Sequence, residues 1–377
     1  MKRFIAVFLA FSMLLPLGFR AQAQAADVPE TSAGAFVLYC PDNGEVLLSD
    51  NADKRMKPAS TTKLMTALIT LERAAAHDET ITFTDEMTAE GSSMYLGLGE
   101  RVKLSDLAVG MMMCSGNDAA NAAAVSIAGS AEGFSRLMNE RARELGMTRT
   151  HFVTPSGLDD PDHYTTAYDM ALLMAAALEN KAFASLTARR SCPVDFVAPA
   201  DKHVTYSNHN RLLSLYPDCI GGKTGYTTAA GRCLVSAARR DGLTLICVTL
   251  DDGDDWNDHI KLCDYGFERY GRFFGDDSDF AVSVPCVGGE ADSVRVVADS
   301  AGGVVLDRAK GELLRRRVML DSFLYAPVKK GDRVGRIVYY LGGKETGAVD
   351  LIADNSVNEI KIKKSFFERI KEFFSHG

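Results

Sequence analysis

Two groups of strand-forming runs, one near residue 40 and one beyond residue 220, enclose a stretch that reads almost wholly as helix, and this order restricts the fold more than any other feature. The first group is a hairpin, Ala35–Tyr39 and Glu45–Leu48, joined by the turn signal Pro41-Asp42-Asn43-Gly44. The second contains Gly222–Thr227, Cys233–Ala238 and Leu243–Leu250, the last two joined by Arg239-Arg240-Asp241-Gly242. Between them, Leu64, Leu68 and Leu71, with Met65 and Ile69 beside them, give Ser60–Ala75 one apolar face at helical spacing. Ser105–Met113, the Ala-rich Asp118–Gly129 and Glu132–Leu145 read as further helices, and Leu262–Tyr270 as a last one. An antiparallel sheet built from the first and last strands, with helices packed on it, satisfies that order, so the expected class is α+β.

Three other segments differ in kind. Lys2 and Arg3 precede the apolar run Phe4–Phe19, and Ala21-Gln22-Ala23-Gln24-Ala25 offers small residues at alternate positions, so residues 1–25 read as a cleaved export signal. Beyond the 26–272 domain, Ser293–Ala298, Gly303–Leu306, Val318–Tyr325 and Arg333–Tyr340 predict a small all-β module over 273–357 with no titratable constellation. In 358–377, Ser365 and Glu368 make a capping box, and Phe366, Phe367, Ile370, Phe373 and Phe374 share one helical face amid Lys363, Lys364, Arg369 and Lys371. Such a helix spans about 16 Å against a hydrocarbon core of ~30 Å. It is expected to lie on a membrane surface rather than cross it.

Composition removes several function classes. The 377-residue chain carries a formal charge of −8, which argues against nucleic acid as a partner. Its eight cysteines include no CxxC pair, and Cys233 and Cys247 sit within apolar strands, so buried free thiols are expected in preference to disulfides. Seven histidines form neither HExxH nor a cluster, so neither a metal nor another cofactor is expected.

Three short motifs carry chemistry. In Ser60-Thr61-Thr62-Lys63 the amine lies within reach of the hydroxyl across one helical turn. A serine hydroxyl needs a base at neutral pH, and a desolvated lysine near other cations can lose its proton and serve. Ser115-Gly116-Asn117 occupies a turn between helices, where the hydroxyl can relay a proton and the amide can donate to a substrate carbonyl or accept from the lysine. In Lys223-Thr224-Gly225, on a strand, Lys223 can bind a carboxylate, and Gly225 leaves the strand edge bare for a ligand backbone. Each alone is weak: a serine can be a mere helix cap, and Ser-Gly-Asn a mere turn.

Together, 55 and then 108 residues apart, the three resemble the active-site set of penicillin-recognising serine acyltransferases. The stretches NADKRMKPASTTKLMTALI, SSMYLGLGERVKLSDLAVGMMMCSGNDAANAAA, HFVTPSGLDDPDHYTTAYDMALL and NRLLSLYPDCIGGKTGYT narrow the likeness to the low-molecular-mass D-alanyl-D-alanine carboxypeptidases. That resemblance implies a β-lactamase/transpeptidase-like domain, a small β domain and a terminal amphipathic helix at the outer face of the bacterial cytoplasmic membrane. It implies Ser60 as the nucleophile toward a peptidoglycan stem peptide ending in D-Ala-D-Ala, Lys63 as general base and Ser115 as proton carrier. Asn117 would orient the peptide, the N–H groups of Ser60 and Tyr226 would form the oxyanion hole, and Lys223 and Thr224, with Arg211, would hold the terminal carboxylate beside the bare Gly225. β-Lactams would acylate Ser60. Two features depart from the pattern: acidic residues 251–259 offer no arginine at the sheet's end, and Cys114 adjoins Ser115. A β-lactamase is disfavoured because Pro155–Asp169 holds four aspartates and no glutamate for deacylation. An endopeptidase acting on cross-links uses the same residues, whereas a non-enzymatic β-lactam or wall sensor predicts a damaged motif.

Overall fold

The computed structural model describes residues 28–273, 277–300 and 302–361. The expected signal segment and the aromatic terminal helix lie outside the described residues.

The hairpin forms as β1 (Ala33–Cys40) and β2 (Glu45–Asp50). Far along the chain follow β3 (Cys219–Thr227), β4 (Gly231–Arg240) and β5 (Leu243–Asp252). The sheet order is β2-β1-β5-β4-β3, all antiparallel, so the first and last strands of the domain do meet, with Leu38 opposite Cys247. Positive φ at Asp241 and Gly242 makes the β4–β5 turn the two-residue type that matches strand twist. Alternate residues serve different cores: Val37, Val235 and Val248 face the helical side, while Leu38, Leu234 and Cys247 face the last helix. Burial on both faces is why these strands read as nearly unbroken apolar runs.

The helical side begins with a 3-10 turn, Ala59–Thr62, that leads into α1 (Lys63–Ala76). Next come α2 (Leu104–Met113), α3 (Asn117–Ala128), α4 (Ala131–Glu144), α5 (Ala167–Glu179) and α6 (Lys181–Thr187). Helix α7 (Asp255–Arg269) covers the opposite face. It starts at Asp255 and not at Leu262, because the acidic run supplies Asp255 and Asp258 to its first turn, where carboxylates complement the helix dipole. Two short hairpins, Thr80–Thr82 with Arg101–Lys103 and Ser191–Asp195 with His203–Ser207, escaped the sequence pattern because so few residues show no periodicity.

Beyond this domain a six-stranded sheet runs in the order Leu314–Leu320, Arg333–Leu341, Lys344–Ala353, Ser293–Ala298, Ala281–Val287, Leu324–Tyr325. Its core of Val294, Val296, Ile337, Tyr339 and Leu351 is separate from the other two. The composition break near residue 272 falls inside the strand Tyr270–Phe273, which pairs with Val304–Asp307. All eight cysteines are free. No helix among the described residues is long and apolar enough to cross a membrane.

Candidate active site

Ser60 sits in the 3-10 turn and not in the α-helix proper, and the difference has a geometric consequence. At three residues per turn, side chains at i and i+3 eclipse. The Lys63 Nζ accordingly lies 3.0 Å from Ser60 Oγ. Ala59, just before it, holds φ +49, a left-handed conformation costly for a residue with a Cβ.

Lys63 is wholly buried. Its Nζ donates to Asn117 Oδ1 at 2.6 Å and to the Ser156 carbonyl at 2.7 Å. Burial, reinforced by the charge of Lys223, holds its pKa well below the usual lysine range. A neutral amine has two N–H groups and one lone pair. Asn117 and Ser156 take the two N–H groups, and the lone pair is left facing Ser60 Oγ, which is the arrangement a general base requires.

The second cluster forms around Lys223, 2% exposed, whose Nζ donates to Ser115 Oγ at 3.0 Å and to the Thr224 carbonyl at 2.6 Å. Burial brings its pKa down to about 7. Ser115 has φ +60 in the turn between α2 and α3, another strained position at the same locus. Asn117 is nearly buried, and its Nδ2 donates to Glu90 O at 2.6 Å while its oxygen serves Lys63. Of the two roles open to it, acceptance from the lysine is the one the structure displays.

A cleft of about 510 Å³ joins the two clusters, and Ser60, Ser115, Thr224, Gly225 and Tyr226 line it. Gly225, which lines the cleft, has a second structural role. A Cβ there would lie 3.0 Å from Pro58 O, Ser60 N and Thr61 N, so the bare position admits the catalytic turn itself. Arg211 is exposed and is not among the lining residues. The guanidinium in the cleft is that of Arg232, on β4 opposite Tyr226. It pairs with the buried Asp255 carboxylate and lies 5.9 Å from the Trp256 ring. The acidic segment therefore contributes an aspartate that anchors an arginine from the neighbouring strand. Strand register was the signal available for Arg232, since Lys223-Thr224-Gly225-Tyr226 must face whatever begins β4.

Other participants left no motif. Asp118 accepts from Ser93 Oγ and from the N–H groups of Met94 and Leu96, fixing the loop whose Ser92 lines the cleft. Ser156 lends only a backbone carbonyl, which any residue type would supply. The half-buried Cys114 thiol donates to Gly110 O at 3.2 Å, and burial pushes its pKa up to about 11, so it is not a competing nucleophile. Among the described residues no group of three or more His, Cys, Asp or Glu side chains is arranged to hold a metal.

Comparison with known proteins accords with this geometry. Residues 22–254 match the Peptidase S11 family, described as D-alanyl-D-alanine carboxypeptidase, and residues 273–359 match the penicillin-binding protein 5 C-terminal domain. The chain is 34% identical to D-alanyl-D-alanine carboxypeptidase DacC of Escherichia coli K12, over 96% of this chain and 92% of that protein. It is 30% identical to DacF of Bacillus subtilis, over 91% and 92% of the two chains. The crystal structure of penicillin binding protein 5 from Haemophilus influenzae superposes with a TM-score of 0.68 at 28% identity, covering 88% of this chain and 99% of that one.

Proposed function

We infer the reaction from one premise: the chain belongs to the D-alanyl-D-alanine carboxypeptidase family. It is a hydrolase that removes the terminal D-alanine from D-Ala-D-Ala peptides of peptidoglycan, and the geometry that carries this reading is the buried amine 3.0 Å from Ser60 Oγ.

In the proposed course Ser60 Oγ attacks the carbonyl carbon between the two D-alanines while Lys63 Nζ takes its proton. The oxyanion is met by the N–H groups of Ser60 and Tyr226, fixed donors aimed where charge develops. The C–N bond breaks, and the proton passes from Lys63 through Ser115 to the departing amine. Water then hydrolyses the Ser60 ester. Lys223 supports Ser115 electrostatically, Thr224 and Arg232 receive the free carboxylate, and Asn117 acts by orienting Lys63. A β-lactam presents a carbonyl and a carboxylate to the same groups and leaves Ser60 acylated. The loop partner of Lys63 is a carbonyl and not a carboxylate, which speaks against fast antibiotic hydrolysis. We also assign residues 1–25 to export and 358–377 to attachment at a membrane surface, on the strength of the charge and apolar patterning described above.

The test compares a pentapeptide ending in D-Ala-D-Ala with its C-terminal amide. Free D-alanine is expected from the acid form, and the amide should react far more slowly. Arg232→Gln should raise KM for the acid roughly 10- to 100-fold with kcat little changed, as for loss of one charge-assisted contact. Equal turnover of acid and amide by the unmodified enzyme would reject carboxylate anchoring and point to an endopeptidase. Gly225→Ala should slow penicillin acylation on the order of 100-fold, since its Cβ forces the strand away from the turn. An unchanged rate would show that this spacing does not matter.

A further inference from the structure

His163 takes no part in the reaction as derived, yet its ring is buried and bonded on both sides between two segments that meet at Lys63. Nε2 lies 2.9 Å from the hydroxyl of Thr62, the residue before Lys63. Nδ1 accepts from the backbone N–H groups of Val153 at 3.1 Å and Thr154 at 3.2 Å. With two donors converging on it, Nδ1 carries no hydrogen, so the ring proton resides on Nε2 and is donated to Thr62. The strand of chain held this way continues into Pro155, whose carbonyl accepts from Thr66 Oγ1 at 2.6 Å, and Ser156, whose carbonyl accepts from Lys63 Nζ at 2.7 Å. Phe152 packs edge-on against the ring with centroids 5.7 Å apart.

We propose that His163 is a positioning residue for the catalytic base: as a neutral ring it ties the catalytic turn to segment 153–156 and so keeps the Ser156 carbonyl on Lys63. The inference rests on Lys63 being the base. Ser156 takes one of the two N–H groups of the neutral amine, and that bond is one of two that turn the lone pair toward Ser60. Loss of the clamp frees the amine to rotate, which lowers the rate of acylation without removing any group that touches substrate.

An imidazolium weakens the clamp, because its Nδ1 hydrogen would face two N–H donors, with the Thr154 hydroxyl at 3.4 Å as a distant acceptor. Burial holds the pKa of the ring down to about 4; the Asp160 carboxylate opposes this, His151 and Lys57 reinforce it, and Asp159 opposes it. In a released segment the ring would regain its ordinary value of 6.5. The released form therefore binds more protons, so release is favoured progressively as pH falls from 6.5 to about 4, and the clamp is undisturbed above that window.

The experiment measures the second-order rate of Ser60 acylation by benzylpenicillin from pH 4.5 to 9 in the full chain and in His163→Asn and His163→Leu, with thermal melting alongside. Acylation of the unmodified chain at neutral pH is established beforehand, so a failure of the Ser60 assignment shows there and not in the comparison. Asparagine offers an acceptor to both amides and does not titrate; leucine offers none. His163→Asn should acylate within about tenfold of the unmodified chain at neutral pH, and His163→Leu about 100-fold more slowly than it. On the acid side the logarithm of the rate should fall more steeply in the unmodified chain than in His163→Asn, by up to one proton. Parallel acid limbs in these two proteins would overturn the proposal. So would a His163→Leu protein that melts lower yet acylates at the unmodified rate where it is folded.

Discussion

Ser60→Ala is expected to release no measurable D-alanine from a D-Ala-D-Ala pentapeptide and to take up no penicillin covalently. The loss in kcat should be roughly 10⁴-fold or more, because without an oxygen at this position no acyl-enzyme forms and the base has nothing to activate. Binding should survive, since Lys223, Thr224 and Arg232 are untouched and the side chain removed is small. Calorimetry or competition with the peptide should give an affinity within a few-fold of the unmodified enzyme. The assay is free D-alanine by coupled oxidation, together with intact mass after exposure to penicillin. Appreciable release by the alanine variant would transfer the nucleophile to another residue and undo the assignment.

A second large effect is expected at Lys63, where two substitutions separate base from charge. Lys63→Met removes the amine, and Lys63→Arg keeps a cation that does not lose its proton. Both should slow acylation roughly 10²- to 10⁴-fold, the range for loss of a general base. If the lysine acted through its positive charge, the arginine variant would retain most of the rate, and the proposed role would fall. The pH dependence gives an independent check. Burial lowers the Lys63 pKa, so its proton is lost at lower pH than for a free lysine, and the rate should rise with pH as the amine becomes neutral. Neither variant should show that rise. The same lowered pKa carries a cost to the fold. Protonation opposes burial, so the contribution to stability is complete only above the ordinary value of 10.5 and is lost as pH falls through the lowered one.

How far the sequence reached depends on how local each relation was. Ser60 and Lys63 belong to one turn, so their neighbourhood follows from spacing, and the 3-10 geometry brings the pair into register. The hairpins around Gly44 and Gly242 were equally legible, because turn chemistry and alternation act over a few residues. The Lys344–Ala353 strand was not, since Gly347 and its charged neighbours interrupt the alternation that packing against Arg333–Leu341 nevertheless sustains. Helix α7 begins seven residues before its apolar pattern does for a related reason: a run of aspartates looks like loop until its position at a helix N-terminus is known.

What the sequence by itself determined is the fold class, the strand-helix-strand order and the three short motifs with their chemical types, because period, turn residues and motif spacing are properties of neighbours in the chain. Only the tertiary structure decided which groups complete the site. Arg232 enters the cleft through the β3–β4 register, its orientation set by an aspartate at the start of α7, while from a loop about 90 to 100 residues away the Ser156 carbonyl reaches Lys63 and the His163 ring reaches Thr62 beside it. These contacts arise from how strands and loops are seated around a shared core. A backbone carbonyl or a cross-strand partner has no residue pattern of its own, so the chemistry it confers becomes readable only when packing brings it within hydrogen-bonding distance.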